Sequence, residues 1–431
     1  MAEENKTYET KSKKRLQVSK LTSGHQKEWF RGLRQRILNG EKLAWGTANT
    51  PEEILTAMDI PLVVNQWWTA ICAAKQMGPK FYSFLETAGY EKHLCSYCAT
   101  AYACALDDEP ENGPWGGLPK PSMIISFDPC PSASKIDELC AKKWGADIFY
   151  MPHTFNDLTA ENNDLWSHWD EATSELRLCR VTQDLERLVQ FLEDRTGKVL
   201  ERERLNEVMR LSNEQNEWFA KARDLIARSR PAPVSVGETL GAIMQVQWHR
   251  GTQWAVDMAK MFYEEIEEMV RTGNVAVPNE KIRLMWLGRG LWYNLAFYQY
   301  FEEKYGAAFV WSQYLAIAAD KYIRYKYEED PLRALATRFN SGGFGGDWYV
   351  KECRSHGIDG IVYLISNDNC MNNAQSAELD IIKLERAGYP VLVLHADAAN
   401  AETWNQDKMT QAVSEFIENR VIPLQKEKGI I

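Results

Sequence analysis

The sequence predicts an α/β protein: two doubly wound parallel-sheet domains with a helical insertion between them. Short apolar runs of strand length alternate with longer amphipathic segments in the first and last thirds of the chain, the pattern of strand–helix–strand units. The middle is charged and helical throughout. Cys130 and Cys370 each follow an apolar run (Met123 to Phe127 and Gly360 to Ile365), which sets both at the carboxyl ends of buried parallel strands, where open α/β sheets build their sites.

In order, residues 1–27 read as a polar arm and 28–162 as the first α/β domain. Thr50-Pro51-Glu52-Glu53-Ile54-Leu55 has the signature of a helix start, with Thr50 at the cap, Pro51 at the first helical position and acids in the first turn. A strand at Ile60 to Val64 and a helix from Trp67 to Ala88 follow. Then come the strand Met123 to Phe127, a crossover helix with Ile136, Leu139, Cys140 and Trp144 on one face, and the strand Ala146 to Met151. Residues 163–275 form the helical bridge; Leu185, Leu188, Val189, Phe191 and Leu192 make an apolar stripe, Arg230-Pro231-Ala232-Pro233 breaks the run, and Thr272-Gly273-Asn274 stops it. The second α/β domain, 276–431, carries strands at Ile282 to Leu287, Phe309 to Trp311, Ile361 to Ile365 and Val391 to Leu394, and a closing helix from Asp407 to about Arg420. The two domains are candidates for remote structural copies of each other.

At 431 residues the chain has ample material for two cores, and no apolar stretch approaches the roughly 20 residues that a membrane span needs. The first 20 residues lack the apolar centre of a secretory signal, so the expected location is the cytoplasm. A net charge of -10 argues against nucleic acid as a partner. Nine cysteines in such a chain point to reduced thiols used for metal, catalysis or packing. Packing explains Cys72, Cys104, Cys140, Cys179 and Cys353, which sit in apolar helical segments. Cys130 after Asp128-Pro129 and Cys370 after Asn367-Asp368-Asn369 lie in polar loops, where a merely hydrophobic residue has little reason to be. Cys95-Ser96-Tyr97-Cys98 opens a helix. Soft thiolates from three remote regions suit an iron–sulfur cluster, with Cys98 a neighbour or auxiliary ligand of Cys95.

Together these segments resemble the family of 2-hydroxyacyl-CoA dehydratases and ATP-dependent benzoyl-CoA reductases. The matching stretches are Thr50 to Ala57 with Ile60-Pro61, Leu94-Cys95-Ser96-Tyr97, Phe127-Asp128-Pro129-Cys130, Gly357 to Gly360 through Cys370, Leu384 to Pro390 and Ala396-Asp397. The resemblance implies a catalytic subunit whose 4Fe-4S cluster is held by Cys95, Cys130 and Cys370, paired with a homologous subunit and supplied with electrons by a separate dimeric iron–sulfur ATPase. This chain has no phosphate loop of its own, in agreement with that division of labour. Cys98 leaves open an 8Fe-9S double cubane, as in a neighbouring branch of the family.

Benzoyl-CoA reduction is the leading expectation, in which a low-potential electron enters a thioester-activated ring. A 2-hydroxyacyl-CoA dehydratase acting through a ketyl radical is the second, and a double-cubane-cluster reductase or an electron-transfer protein the third. A ligand-binding protein with incidental cysteines is the non-metal alternative. His153, at a strand's carboxyl end, is the candidate proton donor, and Thr47 a candidate substrate contact. Gly288-Arg289-Gly290, after a strand and before a helix, is the candidate binder of a CoA phosphate. Trp67-Trp68, Trp286, Trp292-Tyr293 and Trp311 are candidates to wall an aromatic pocket, or to fill the core.

Overall fold

Apolar runs buried on both faces form two parallel sheets. A computed structural model describes residues 9–11, 13–91, 95–128, 131–152, 174–320, 326–340, 345–366 and 371–429. In the first sheet, β1 (Ala44–Gly46) and β3 (Met123–Asp128) are central, flanked by β2 (Leu62–Val64) and β4 (Asp147–Pro152), in the order β2-β1-β3-β4. The second sheet, from β5 (Ile282–Gly288), β6 (Ala307–Ser312), β7 (Gly360–Ile365) and β8 (Val391–His395), has the order β6-β5-β7-β8. All pairings are parallel. Both sheets therefore repeat one topology: the second strand lies outside the first, and the third lies on the first strand's other side. Each has its switch point between its two central strands, where crossovers leave in opposite directions and a crevice opens.

The helices depart from the expected boundaries in instructive places. The arm is already helical from Gln17: α1 (Gln17–Leu38) buries Val18, Thr22, Gln26, Phe30 and Leu33 along one face. Its first turn has no capping side chain of its own. Instead, the Gln17 and Val18 N–H groups donate to the Glu265 carboxylate at 2.7 and 2.9 Å, and Arg15 bonds Glu238 at 3.0 Å and the Pro233 carbonyl at 2.9 Å. Charges that read as a solvated tail are anchors. The helix α2 (Glu52–Ala57) starts one residue later than expected, because the Thr50 hydroxyl accepts from the Thr47 N–H at 3.0 Å instead of capping the helix. The single helix expected from Trp67 to Ala88 is two, α3 (Asn65–Ala74) and α4 (Gly78–Thr87), separated by a turn in which Gln76 has φ 58°. The crossover α5 (Ser96–Leu106) follows, and α6 (Pro131–Trp144) buries Ile136, Cys140 and Trp144 as expected. A three-residue β1 escaped the sequence reading because it is too short to show any period.

The bridge supplies α7 (Glu175–Thr196), α8 (Arg202–Arg228), α9 (Val236–Gln247) and α10 (Gln253–Thr272). It fastens the two halves together. The first turns of α8 put Leu205 and Met209 into the core of the first sheet, while Phe219, Ala222, Leu225 and Ile226 enter that of the second. Gly273 ends α10 with φ 72°, as its stop signal predicts. No atom lies near the place its Cβ would take, so Gly273→Ala is expected to cost about 1 kcal/mol of unfolding free energy in urea titrations, from backbone strain alone. Helices α11 (Phe297–Tyr305), α12 (Gln313–Asp320), α13 (Pro331–Asn340), α14 (Gly346–His356), α15 (Met371–Arg386), α16 (Gln406–Phe416) and α17 (Ile422–Glu427) complete the second half. Among the described residues no helix is long and apolar enough to cross a membrane.

One junction carries a pH dependence. His249, after α9, is buried with its Nε2 2.8 Å from Gln26 Oε1 on α1, and burial, then nearby His25, pushes its pKa down to about 3 from 6.5. The fold holds the imidazole neutral, so this stability is present above pH 6.5 and is lost as the pH falls toward 3. Between pH 6 and 5 the loss approaches about 1.4 kcal/mol per pH unit. Urea unfolding at pH 7 and 5 should show a smaller loss in His249→Gln than in the parent.

Candidate functional site

The first turn of α5 docks on the carboxyl edge of the second sheet. Cys95 is the N-cap residue of α5, at the positive end of the helix dipole, and is half-buried. The next residue ties this turn across the domains: the Ser96 N–H donates to Asp397 Oδ2 at 3.2 Å. Asp397, just after β8, is itself fixed; its Oδ1 accepts from the Ala399 and Asn400 N–H groups at 2.7 and 2.9 Å. Tyr97 is buried. Its hydroxyl accepts from Trp292 Nε1 at 2.8 Å, and the Arg289 guanidinium lies 4.7 Å from its ring centroid. Burial and then Tyr314 push the Tyr97 phenol far above its usual range, so it stays protonated.

Arg289 thus stands beside the Cys95 turn, two expected site segments brought together from positions remote in sequence. The surrounding glycines have other duties. Gly288, the last residue of β5, has φ 87°, and a Cβ there would sit 2.2 Å from the Leu364 carbonyl oxygen of β7. Close strand approach explains it. The Gly290 N–H already donates to the Tyr314 hydroxyl at 2.8 Å, and α11 begins only at Phe297, so this loop does not offer a phosphate the helix N-terminus that the sequence led us to expect.

Thr47 follows β1, and β3 runs next to β1 toward Cys130; Gly288 and Arg289 follow β5, and β7 runs next to β5 toward Cys370. These four segments each follow, in sequence, a central strand, whereas Cys95 opens α5 and His153 follows the edge strand β4. Thr47 is buried, and its hydroxyl accepts from the Asn49 N–H at 3.3 Å. Cys130, Cys370 and His153 lie outside the described residues. Among the described residues no group of three metal-binding side chains gathers.

Of the cysteines assigned to packing, Cys72, Cys104, Cys140 and Cys353 are buried. Cys179 is exposed, a correction: the buried face of α7 runs through Leu178, Val181 and Leu185, and Cys179 falls one position off it. Cys98 is buried in the core of the first sheet. The tryptophans divide. Trp68 and Trp286 are fully buried, Trp311 donates to Glu352 at 2.7 Å, and Trp67 and Trp292 line an open cleft of about 670 Å³.

A buried ionic cluster braces the Thr47 loop, and the sequence reading missed it. Glu53 accepts from Arg338 at 3.3 Å and Arg250 at 3.5 Å, while Arg338 also bonds the Ala48 carbonyl at 3.2 Å. Read along the chain, Glu53 is only a first-turn acid of α2; its partners lie far away in sequence. Asp397 is legible in the sequence as part of the Ala396-Asp397 match, but its link to the Cys95 turn has no local signal.

Two doubly wound parallel sheets, with Cys95 at the N-cap of a helix whose first turn contacts the loops after β5 and β8, define an α/β protein of two such sheets. Residues 47–419 match the family described as 2-hydroxyglutaryl-CoA dehydratase, D-component, and the chain belongs to that family. It is similar to the (R)-phenyllactyl-CoA dehydratase alpha subunit of Clostridium sporogenes, 26% identical over 59% of either chain, so the alignment spans little more than half the length of that relative. It is also similar to the (R)-2-hydroxyisocaproyl-CoA dehydratase alpha subunit of Clostridioides difficile, 21% identical over 88% of this chain and 90% of the relative. Both relatives are named as dehydratase subunits, which favours the second expected activity over benzoyl-CoA reduction. Family members carry iron–sulfur clusters, and the reduced, half-buried thiol of Cys95 on a helix N-terminus fits a thiolate ligand of such a group.

Proposed function

We propose that the chain is a catalytic subunit of an (R)-2-hydroxyacyl-CoA dehydratase, holding an iron–sulfur cluster through Cys95, Cys130 and Cys370. The observation that carries this reading is the family match from residue 47 to 419, which spans every strand but β1 and includes all three cysteines. When bound, the cluster would supply one low-potential electron to the thioester. The net reaction is redox-neutral: hydroxide leaves C2, a proton leaves C3, and the electron is returned, giving a 2-enoyl-CoA and water.

The chain's own residues have separable tasks. Asp397 fixes the first turn of α5 against the second domain, so the position of Cys95 is tied to that domain. Tyr97, Trp292 and Tyr314 make a wall that excludes water, and Arg289 sets a positive charge beside it, suited to the negative charge that grows on a thioester carbonyl as it is reduced. The proposed partners are a homologous subunit and an ATP-hydrolysing iron–sulfur donor.

The test is anaerobic turnover of the purified complex with its reduced donor and ATP. Water loss from (R)-2-hydroxyacyl-CoA thioesters supports the assignment. Reduction of benzoyl-CoA to a cyclic dienoyl-CoA, with no dehydration of hydroxyacyl thioesters, overturns it in favour of the reductase.

A further inference from the structure

We propose that the cleft between α3, α9 and the N-terminal arm binds the 3′-phosphorylated adenosine diphosphate end of the CoA thioester. This deepens the dehydratase reading and rests on it. The cleft, at about 670 Å³, has the size of a small-molecule site. Lys11 and Lys14 reach it from the arm and Lys75 from the end of α3. Among the described residues none of the three is paired with a carboxylate; Lys14 meets only the Ser23 hydroxyl, at 3.5 Å, and Glu238 on the cleft wall is taken by Arg15 at 3.0 Å. Three ammonium groups on one cleft, without a carboxylate partner among the described residues, make a focused positive potential in a chain of net charge -10. They are close enough to feel one another: the Lys14 pKa is lowered by burial, then by Lys11 and Lys75. A ligand carrying several phosphates relieves that repulsion.

The walls suit an adenine. Trp67, Trp115, Trp248 and Trp292 line the same cleft, and stacking on an indole binds any purine face. Trp115 is held with φ 56° and ψ 26°, a conformation that a bulky residue seldom adopts and that cores do not require. It also carries Lys75 5.6 Å from its ring centroid. Connection to the reacting end comes through Trp292, which lines the cleft and bonds Tyr97, two residues from Cys95. The phosphate role expected of Gly288-Arg289-Gly290 passes in this arrangement to the lysines, and Arg289 stays on Tyr97.

The experiment is calorimetric and tryptophan-fluorescence titration of the anaerobically purified complex with CoA, dephospho-CoA, adenosine 3′,5′-bisphosphate and ATP. Variants are Lys14→Ala, Lys75→Glu and the Lys11→Ala/Lys14→Ala/Lys75→Ala triple, each checked by circular dichroism. Loss of one charge-assisted phosphate contact is worth about tenfold in affinity or more, so the triple variant should bind CoA at least about a hundredfold more weakly. Dephospho-CoA should bind the parent more weakly than CoA, and indole fluorescence should be quenched on binding. Unchanged CoA affinity in both Lys75→Glu and the triple variant overturns the site while leaving the dehydratase reading intact. ATP binding the parent as tightly as CoA also overturns it, by making the cleft a general nucleotide site. A parent complex that binds no CoA defeats both the site and the reading beneath it.

Discussion

Glu53→Ala is expected to lower the unfolding free energy by about 3–5 kcal/mol, because it strips two buried guanidinium groups of the carboxylate they share. Glu53 and Arg250 are fully buried and Arg338 nearly so, which leaves water little access to repair the loss. Arg250 keeps Glu52 at 3.5 Å, whereas Arg338 keeps carbonyls, including that of Ala48 at 3.2 Å. The damage should therefore spread to the loop after β1 and loosen Thr47 as well. Chemical denaturation of the parent and variant measures the effect. A difference below about 1 kcal/mol would mean that the cluster is solvated and braces nothing.

The second large effect concerns the proposed ligands. Cys130→Ala and Cys370→Ala should each purify with iron and sulfide reduced to background and with dehydration abolished, since a thiolate cannot be replaced by a methyl group at a metal. Cys98→Ala is the informative control. Its side chain packs in the first core, so the variant should keep its iron and lose only about 1 kcal/mol of stability. Full iron and activity in the Cys130 and Cys370 variants would reject the ligand set. Iron loss in Cys98→Ala with the other two unaffected would move the centre elsewhere on α5.

Much of the architecture was legible because buried parallel strands leave a strong trace. Met123 to Phe127 and Gly360 to Ile365 are apolar at nearly every position, as strands covered on both faces must be. Gly273 was readable for a different reason, since a left-handed helix stop selects glycine locally. The errors arose where a local cue had a competing partner. Thr50 looked like a cap, but its hydroxyl is engaged by the Thr47 N–H, three residues back. The arm looked like a solvated tail because charge was read without its partners, Glu238 and Glu265, more than two hundred residues on. Cys179 has apolar neighbours in sequence but lies off the buried stripe.

The linear chain by itself determined the two parallel sheets and the glycine stop at Gly273, since both are set by residue type at short range. Only the tertiary structure decided that α5 carries Cys95 against Asp397 and Arg289, that Glu53 is the centre of an ion cluster, and that three lysines share one aromatic cleft. The physical reason is the range of the interactions. Backbone preference and hydrophobic pattern act over a few residues, whereas charge pairing and shape complementarity depend on distances that exist only after the chain has closed on itself.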